Sequence, residues 1–180
     1  MNLAFLDPAS VSRGERNAIR DMWDRLHGVP GGKALFSLAI GKMAPYSGTV
    51  GASVEVLRDG YSEVTMRDRR AVRNHLDCVH AIALVNLAEI TGNLALGYSL
   101  APDARFIVAG LSIDYRKKAR GTIRGVCECP PIEGSARREI AVPVRMLDPG
   151  GELVAEAILR TLVGPKERAA RGARRASAPR

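Results

Sequence analysis

Between Val79 and Leu100 the chain carries 22 consecutive residues that are apolar on nearly every helical face. Ala81, Ala83, Ala88, Gly92, Ala95 and Gly97 within it are small. A helix of this kind has no stripe to offer water, so it must be buried on most sides, with its neighbours close. The stretch is long enough to span a bilayer. It holds His80, Asn86, Glu89 and Asn93, however, and an ionisable group at mid-membrane is costly. The expectation is a buried helix over Val79–Ser99 and no membrane span. The rest of the chain must supply the surfaces that cover it.

Those surfaces read as strands. From Gly51 the apolar period becomes two, with Ser53–Arg58 and Tyr61–Arg67 joined by the hairpin signal Asp59-Gly60. Four alternating runs follow the helix: Arg105–Lys117, Gly121–Cys129, Arg137–Leu147 and Glu152–Val163. In the first, Ile107, Ala109, Leu111, Ile113 and Tyr115 are expected on one face. Pro143 predicts an edge or a bulge in the third. Strands in succession after one helix argue an α+β fold with an antiparallel sheet of about six strands. One helix cannot cover both faces of such a sheet. Either the sheet curls around the helix or a second copy covers its outer face.

Ahead of the sheet, residues 12–27 have helical periodicity. Ser12 and Glu15 stand at capping-box spacing, and Ile19, Met22, Trp23 and Leu26 share a face. Gly28-Val29-Pro30-Gly31-Gly32 ends that helix, and a shorter one follows over Lys33–Lys42. The long break and the apolar second helix argue for a packing extension over a helix-turn-helix. The net charge is +8, but residues 166–180 hold six basic residues and one acid, so the tail carries most of it. That tail cannot bury a core and is expected to be disordered. Without interleaved aromatics it offers only non-specific charge, so no specific nucleic-acid partner is expected. Three cysteines make no disulfide framework, and no signal peptide is evident, so a cytoplasmic protein is expected. The expected organisation is a helical extension over 1–43, an α+β domain over 44–165, and a basic tail over 166–180.

Asn74, His80 six residues later, and Glu89 nine residues after that stand where the loop enters the buried helix. This pattern, with the strand order, resembles the hotdog-fold acyl-CoA thioesterases of the phenylacetate-degradation type, over roughly residues 44–163. The resemblance implies an antiparallel sheet wrapped around a helix, and hydrolysis of acyl-CoA to free acid and CoA. It implies catalytic roles for Glu89, Asn74 and His80, and an oxyanion role for the backbone N–H groups of Ala81 and Ile82. The chain departs from that family at Asp77, where a glycine is usual, and at Ala81-Ile82, where Gly-Gly is usual. Cβ atoms at the latter pair narrow the approach to those amides.

Nine residues along a helix are about 900° and about 13.5 Å, so His80 and Glu89 point to opposite faces and cannot meet within one chain. A shared site therefore requires a homodimer, with Glu89 of one copy facing Asn74 and His80 of the other. Pairing of dimers into tetramers stays open. Glu89, desolvated by its apolar helix, would act as base or nucleophile. Asn74 would orient water or a neighbouring side chain. Arg116, Lys117, Lys118 and Arg120 would suit the phosphates of CoA, as would Arg67, Arg69, Arg70 and Arg73. No cofactor is expected beyond the CoA of the substrate, and no metal. Cys127 and Cys129 share a strand face without further ligands and are expected in the core, and Asp77 with His80 lacks a third ligand. His75 is expected to be structural or exposed. A non-catalytic acyl-CoA-binding module is the alternative reading. The acyl chain, and CoA against carrier protein, stay open.

Overall fold

The computed structural model describes residues 16–166. In chain order its elements are α1 (Ala18–Leu26), α2 (Gly32–Met43), α3 (Pro45–Gly48), β1 (Ser53–Arg58), β2 (Tyr61–Met66), α4 (Ala81–Ser99), β3 (Ala104–Tyr115), β4 (Ile123–Glu128), β5 (Arg138–Leu147) and β6 (Leu153–Pro165). The strands form one antiparallel sheet in the order β1-β2-β4-β5-β6-β3. α4 packs against all six strands. The sheet therefore curls around the helix, and the fold is the α+β hotdog.

Close approach makes this packing possible. Leu87, Ala88, Ala95 and Leu96 of α4 are fully buried, as are Val64, Ile123, Val142, Met146 and Leu159 of the sheet. A Cβ on Gly92 would lie 3.0 Å from Leu159, and one on Gly125 of β4 only 2.5 Å from Thr91 Oγ1. Two buried polar groups at this seam, Thr91 and Ser62, are satisfied locally. Thr91 donates to the Leu87 carbonyl at 2.7 Å, and Ser62 of β2 donates to the Thr91 carbonyl at 2.7 Å.

Two strand features differ from the periodicity reading. Val108 pairs with Thr161 and Gly110 with Arg160, so Ala109 is an extra, bulged residue in β3. A one-residue bulge flips the facing of everything beyond it. Phe106 and Val108 pack on the core before the bulge, and Leu111 and Ile113 after it. Ile107 points outward at 66% exposure, so the five residues do not share a face. Pro143 lies in β5, an interior strand of the sheet. The β4 pairing stops at Cys127–Val144, one residue short of it, so Pro143 meets only Ile158 of β6 and sits on a local edge.

The N-terminal extension packs onto the far end of α4. The expected capping pair Ser12 and Glu15 lies outside the described residues, as do 167–180. Within them α1 begins at Ala18, capped by Asn17, whose side chain accepts from the Arg20 N–H at 3.0 Å. The Asn17 amide also donates to the carbonyls of Gly97, Tyr98 and Leu100. Arg20 donates to Tyr98 and Leu100. Carbonyls that a helix end leaves unpaired are thus satisfied by the first turn of another helix. Trp23 meets Phe36 of α2 edge-to-face, with centroids 5.0 Å apart.

Gly125→Ala is expected to overpack the seam and cost about 1–3 kcal/mol. Gly28→Ala, with open space around it, is the near-neutral control. Denaturant unfolding measures both, and equal midpoints for the two variants would contradict the close helix–sheet approach.

Candidate functional site

The segment between β2 and α4 is shaped to present the start of the helix. A 3-10 turn at Arg70–Val72 leads into a tight loop closed by a bridge between Arg73 and Val79. Asn74 Oδ1 accepts the Leu76 N–H at 2.9 Å, and the Asn74 N–H donates to the Cys78 carbonyl at 2.9 Å. The Asn74 side chain is thereby committed to the loop. Asp77 has φ of 52°, in the left-handed region. That conformation costs most L-residues about 1–2 kcal/mol, and only Gly, Asn and Asp visit it readily. The resembled family's usual glycine thus stands where the backbone requires it. The Asp77 carboxylate pairs with Arg73 at 2.8 Å, and Arg73 pairs with Asp68 at 2.6 Å. The other Asp68 oxygen accepts the Gly121 N–H at 2.9 Å. The Arg73 guanidinium holds the Asp68 carboxyl below the usual range. Val79 donates to the Ala119 carbonyl and His80 to that of Val72, which fixes the path into α4.

His80 caps α4: its Nδ1 accepts the Ile82 N–H at 3.0 Å. With Nδ1 accepting, the neutral ring carries its proton on Nε2. Of the two amides expected to hold an oxyanion, that of Ile82 is engaged by this ring. That of Ala81 has no acceptor among the described residues.

Along α4, Ile82, Asn86, Glu89 and Asn93 fall at i, i+4, i+7 and i+11, on one stripe. Glu89 is the only acidic residue in the helix, is half-buried, and makes no ion pair among the described residues. Asn86 is 4% exposed. Its Nδ2 donates to the Tyr46 carbonyl at 3.4 Å, while Oδ1 accepts nothing among the described residues. Asn93 Oδ1 is likewise unpartnered. A buried acceptor left unpaired costs about 1–3 kcal/mol. Asn86 lies in a hollow of about 200 Å³ with Tyr46, Thr49, Val72, Arg73 and His80. The structure therefore joins His80 to Asn86, which the sequence reading had given no role, and uses Asn74 in the loop. α4 runs unbroken past Glu89, so His80 and Glu89 of one chain leave it about half a turn and about 13.5 Å apart.

Of the basic residues expected near a phosphate, Arg116 pairs with Glu156, and Lys117 with Asp148 at 2.7 Å and with Glu152. Lys118 and Arg120 are exposed and make no ion pair among the described residues. In the other basic run, Arg69 donates to the Thr49 carbonyl at 2.6 Å. His75 is exposed. Cys127 and Cys129 are core residues. Burial pushes both thiols up, that of Cys129 to about 11.

Residues 32–163 match the family described as "Domain of unknown function (DUF4442)". The chain belongs to this family. The span it shares with DUF4442 begins at α2, so the second helix of the N-terminal extension lies within it. No match is found among curated proteins. Among solved structures, the genomics protein APC5556 is 33% identical, covers 82% of this chain and 98% of its own, and superposes with a TM-score of 0.72. A conserved protein from Pseudomonas aeruginosa is 28% identical over 66% of this chain and 91% of its own, with a TM-score of 0.58. A thioesterase from Haemophilus influenzae is similar in fold, at 14% identity, 69% and 86% coverage and a TM-score of 0.62. These likenesses bear out the hotdog fold of the DUF4442 chain.

Asp77→Gly should leave stability unchanged or raise it, because it gives up only an exposed ion pair. Asp77→Val should lower stability by about 1–2 kcal/mol. Thermal unfolding of the two variants checks this, and a loss in Asp77→Gly as large as in Asp77→Val would show that the carboxylate, not the backbone, holds the loop.

Proposed function

We propose that this protein hydrolyses the thioester bond of acyl-CoA, releasing free acid and CoA, at a site shared by two subunits. The observation that carries this reading is Glu89: a half-buried carboxylate that makes no ion pair among the described residues, the only acid on a mostly apolar core helix. A carboxylate in such surroundings needs a task or a partner. The hotdog fold supports the reading, since proteins of that fold include thioesterases. In the proposed site the Ala81 amide, at the positive end of the α4 dipole, faces the oxygen on which charge develops. Glu89 of the partner subunit takes the proton of the attacking water. Lys118 and Arg120, exposed and without an ion pair among the described residues, are the cations offered to the CoA phosphates. Arg116 and Lys117 can join them, because exposed ion pairs are weak and exchange partners readily.

The proposed dimer extends the sheet through β3. The β1 edge is covered by α2, where Ser37 Oγ accepts the Val54 N–H at 2.9 Å and Lys33 donates to the Glu55 carbonyl at 2.7 Å. The other edge, β3, is long and has no strand outside it among the described residues. An open edge of this length invites a second copy. Light scattering at micromolar concentration is expected to give a dimer, and a fully active monomer would contradict the shared site.

A second reading is a non-catalytic acyl-CoA-binding module. It is favoured by the engagement of the Ile82 amide with His80, and by the Cβ atoms where the related thioesterases have Gly-Gly. One assay separates the two: a panel of acyl-CoAs of varied length and aromaticity, read by release of free thiol. The hydrolase reading expects turnover, and a loss on the order of 10²–10⁴-fold in kcat for Glu89→Gln with binding retained. Mixed dimers of Glu89→Gln with His80→Ala carry one intact and one doubly damaged site, so they should recover up to about half the activity per dimer. Binding without thiol release would favour the module, and unchanged turnover in Glu89→Gln would remove the catalytic assignment.

A further inference from the structure

We propose that Asn86 holds the attacking water from the floor of the hollow it shares with His80, a task the sequence pattern assigns to Asn74. The proposal rests on the hydrolase reading above. Asn74 does not line that hollow, and its Oδ1 accepts the Leu76 N–H within the loop. Asn86 has the opposite character. It is 4% exposed, its amide nitrogen is turned to the Tyr46 carbonyl, and its Oδ1 accepts nothing among the described residues. His80 is exposed at the mouth of the same hollow. Its Nδ1 is held by the Ile82 N–H, which leaves Nε2–H as a donor. A hollow of about 200 Å³ has room for water, and a bound water needs two to four polar partners.

One donor and one acceptor then fix the water. It accepts from His80 Nε2–H and donates one proton to Asn86 Oδ1. Its second proton points to Glu89 of the partner subunit, and one lone pair remains for the thioester carbonyl. As the oxygen–carbon bond forms, the carbonyl electrons move onto oxygen and Glu89 takes the proton. Collapse of that oxyanion breaks the carbon–sulfur bond, and the departing thiolate takes up the proton.

Asn86→Leu keeps the volume and removes the acceptor. Its expected effect is a fall in kcat on the order of 10²-fold, the scale of a misplaced reactant, with KM little changed. Thermal stability should not fall, because an unpaired buried acceptor has been replaced by an apolar group. Asn86→Ser, which leaves room for a further water, should retain more activity and serves as the test if the leucine variant does not fold. Mixed dimers assign Asn86 to its half of the site. Asn86→Leu should complement Glu89→Gln, because one site of that dimer is intact. It should not complement His80→Ala, because both sites are then damaged. Wild-type kcat in Asn86→Leu would overturn the proposal. So would an activity loss matched by a fall in melting temperature, or complementation of His80→Ala in place of Glu89→Gln. Failure of the hydrolase reading is seen separately, as absence of thiol release by the wild-type protein across the acyl-CoA panel.

Discussion

A helix with almost no solvent-facing side sets the terms for the rest of this protein. Covering α4 takes all six strands, and the strands can come close only where glycines such as Gly92 and Gly125 remove the Cβ atoms between them. The far end of the helix projects carbonyls that the sheet does not satisfy, and α1 is docked there through Asn17 and Arg20. The burial that leaves no polar face also decides where chemistry can occur. Polar side chains on α4 either bond back onto their own helix, as Thr91 and Ser99 do, or gather on the stripe of Asn86, Glu89 and Asn93. The site follows from the packing.

The near end of α4 shows how the chain aims one side chain. Arg73 joins Asp68 to Asp77, Asp68 ties the loop to Gly121, and backbone bonds from Val79 and His80 complete the clamp. The outcome is a histidine ring turned back on the first turn of the helix. That geometry has a consequence for the oxyanion. One open amide, that of Ala81, is immediately available, and the Ile82 amide becomes available only when the His80 ring lets go of it. In the proposed site, capping and oxyanion binding thus compete for the same donor.

Much of the fold was legible because two periods alternate cleanly along the chain. A single β1–β2 turn, an apolar run, and four alternating runs were enough for element order and sheet class. What was hidden depends on distance or on a single residue. The Ala109 bulge leaves no mark in an alternating pattern, so the outward turn of Ile107 appears only once β3 is registered against β6. Asn17 was obscured by the better-spaced Ser12 and Glu15. Arg116 and Lys117 read as free cations because their acids, Glu156 and Glu152, stand far along the chain and meet them only through the sheet. At the site, Glu89 and His80 stood out as ionisable groups in apolar surroundings. Asn86 did not, because an asparagine reads the same whether its amide is satisfied or not.

Asn86 and Asn93 stand three residues before and four residues after Glu89, so both are its neighbours on the helix surface. Each keeps a shielded amide oxygen without a donor, and the carboxylate between them has no cation within the described chain. Were the stripe only packing, apolar residues of the same size would serve the fold better, since each unpaired acceptor costs stability. Were it an internal ion-pair network, a lysine or arginine would stand opposite Glu89. Neither condition holds. A stripe of acceptors without donors is complete only when groups carrying protons lie against it, and in the proposed dimer Asn86 meets the water held by its own His80 while Glu89 reaches the water of the other site.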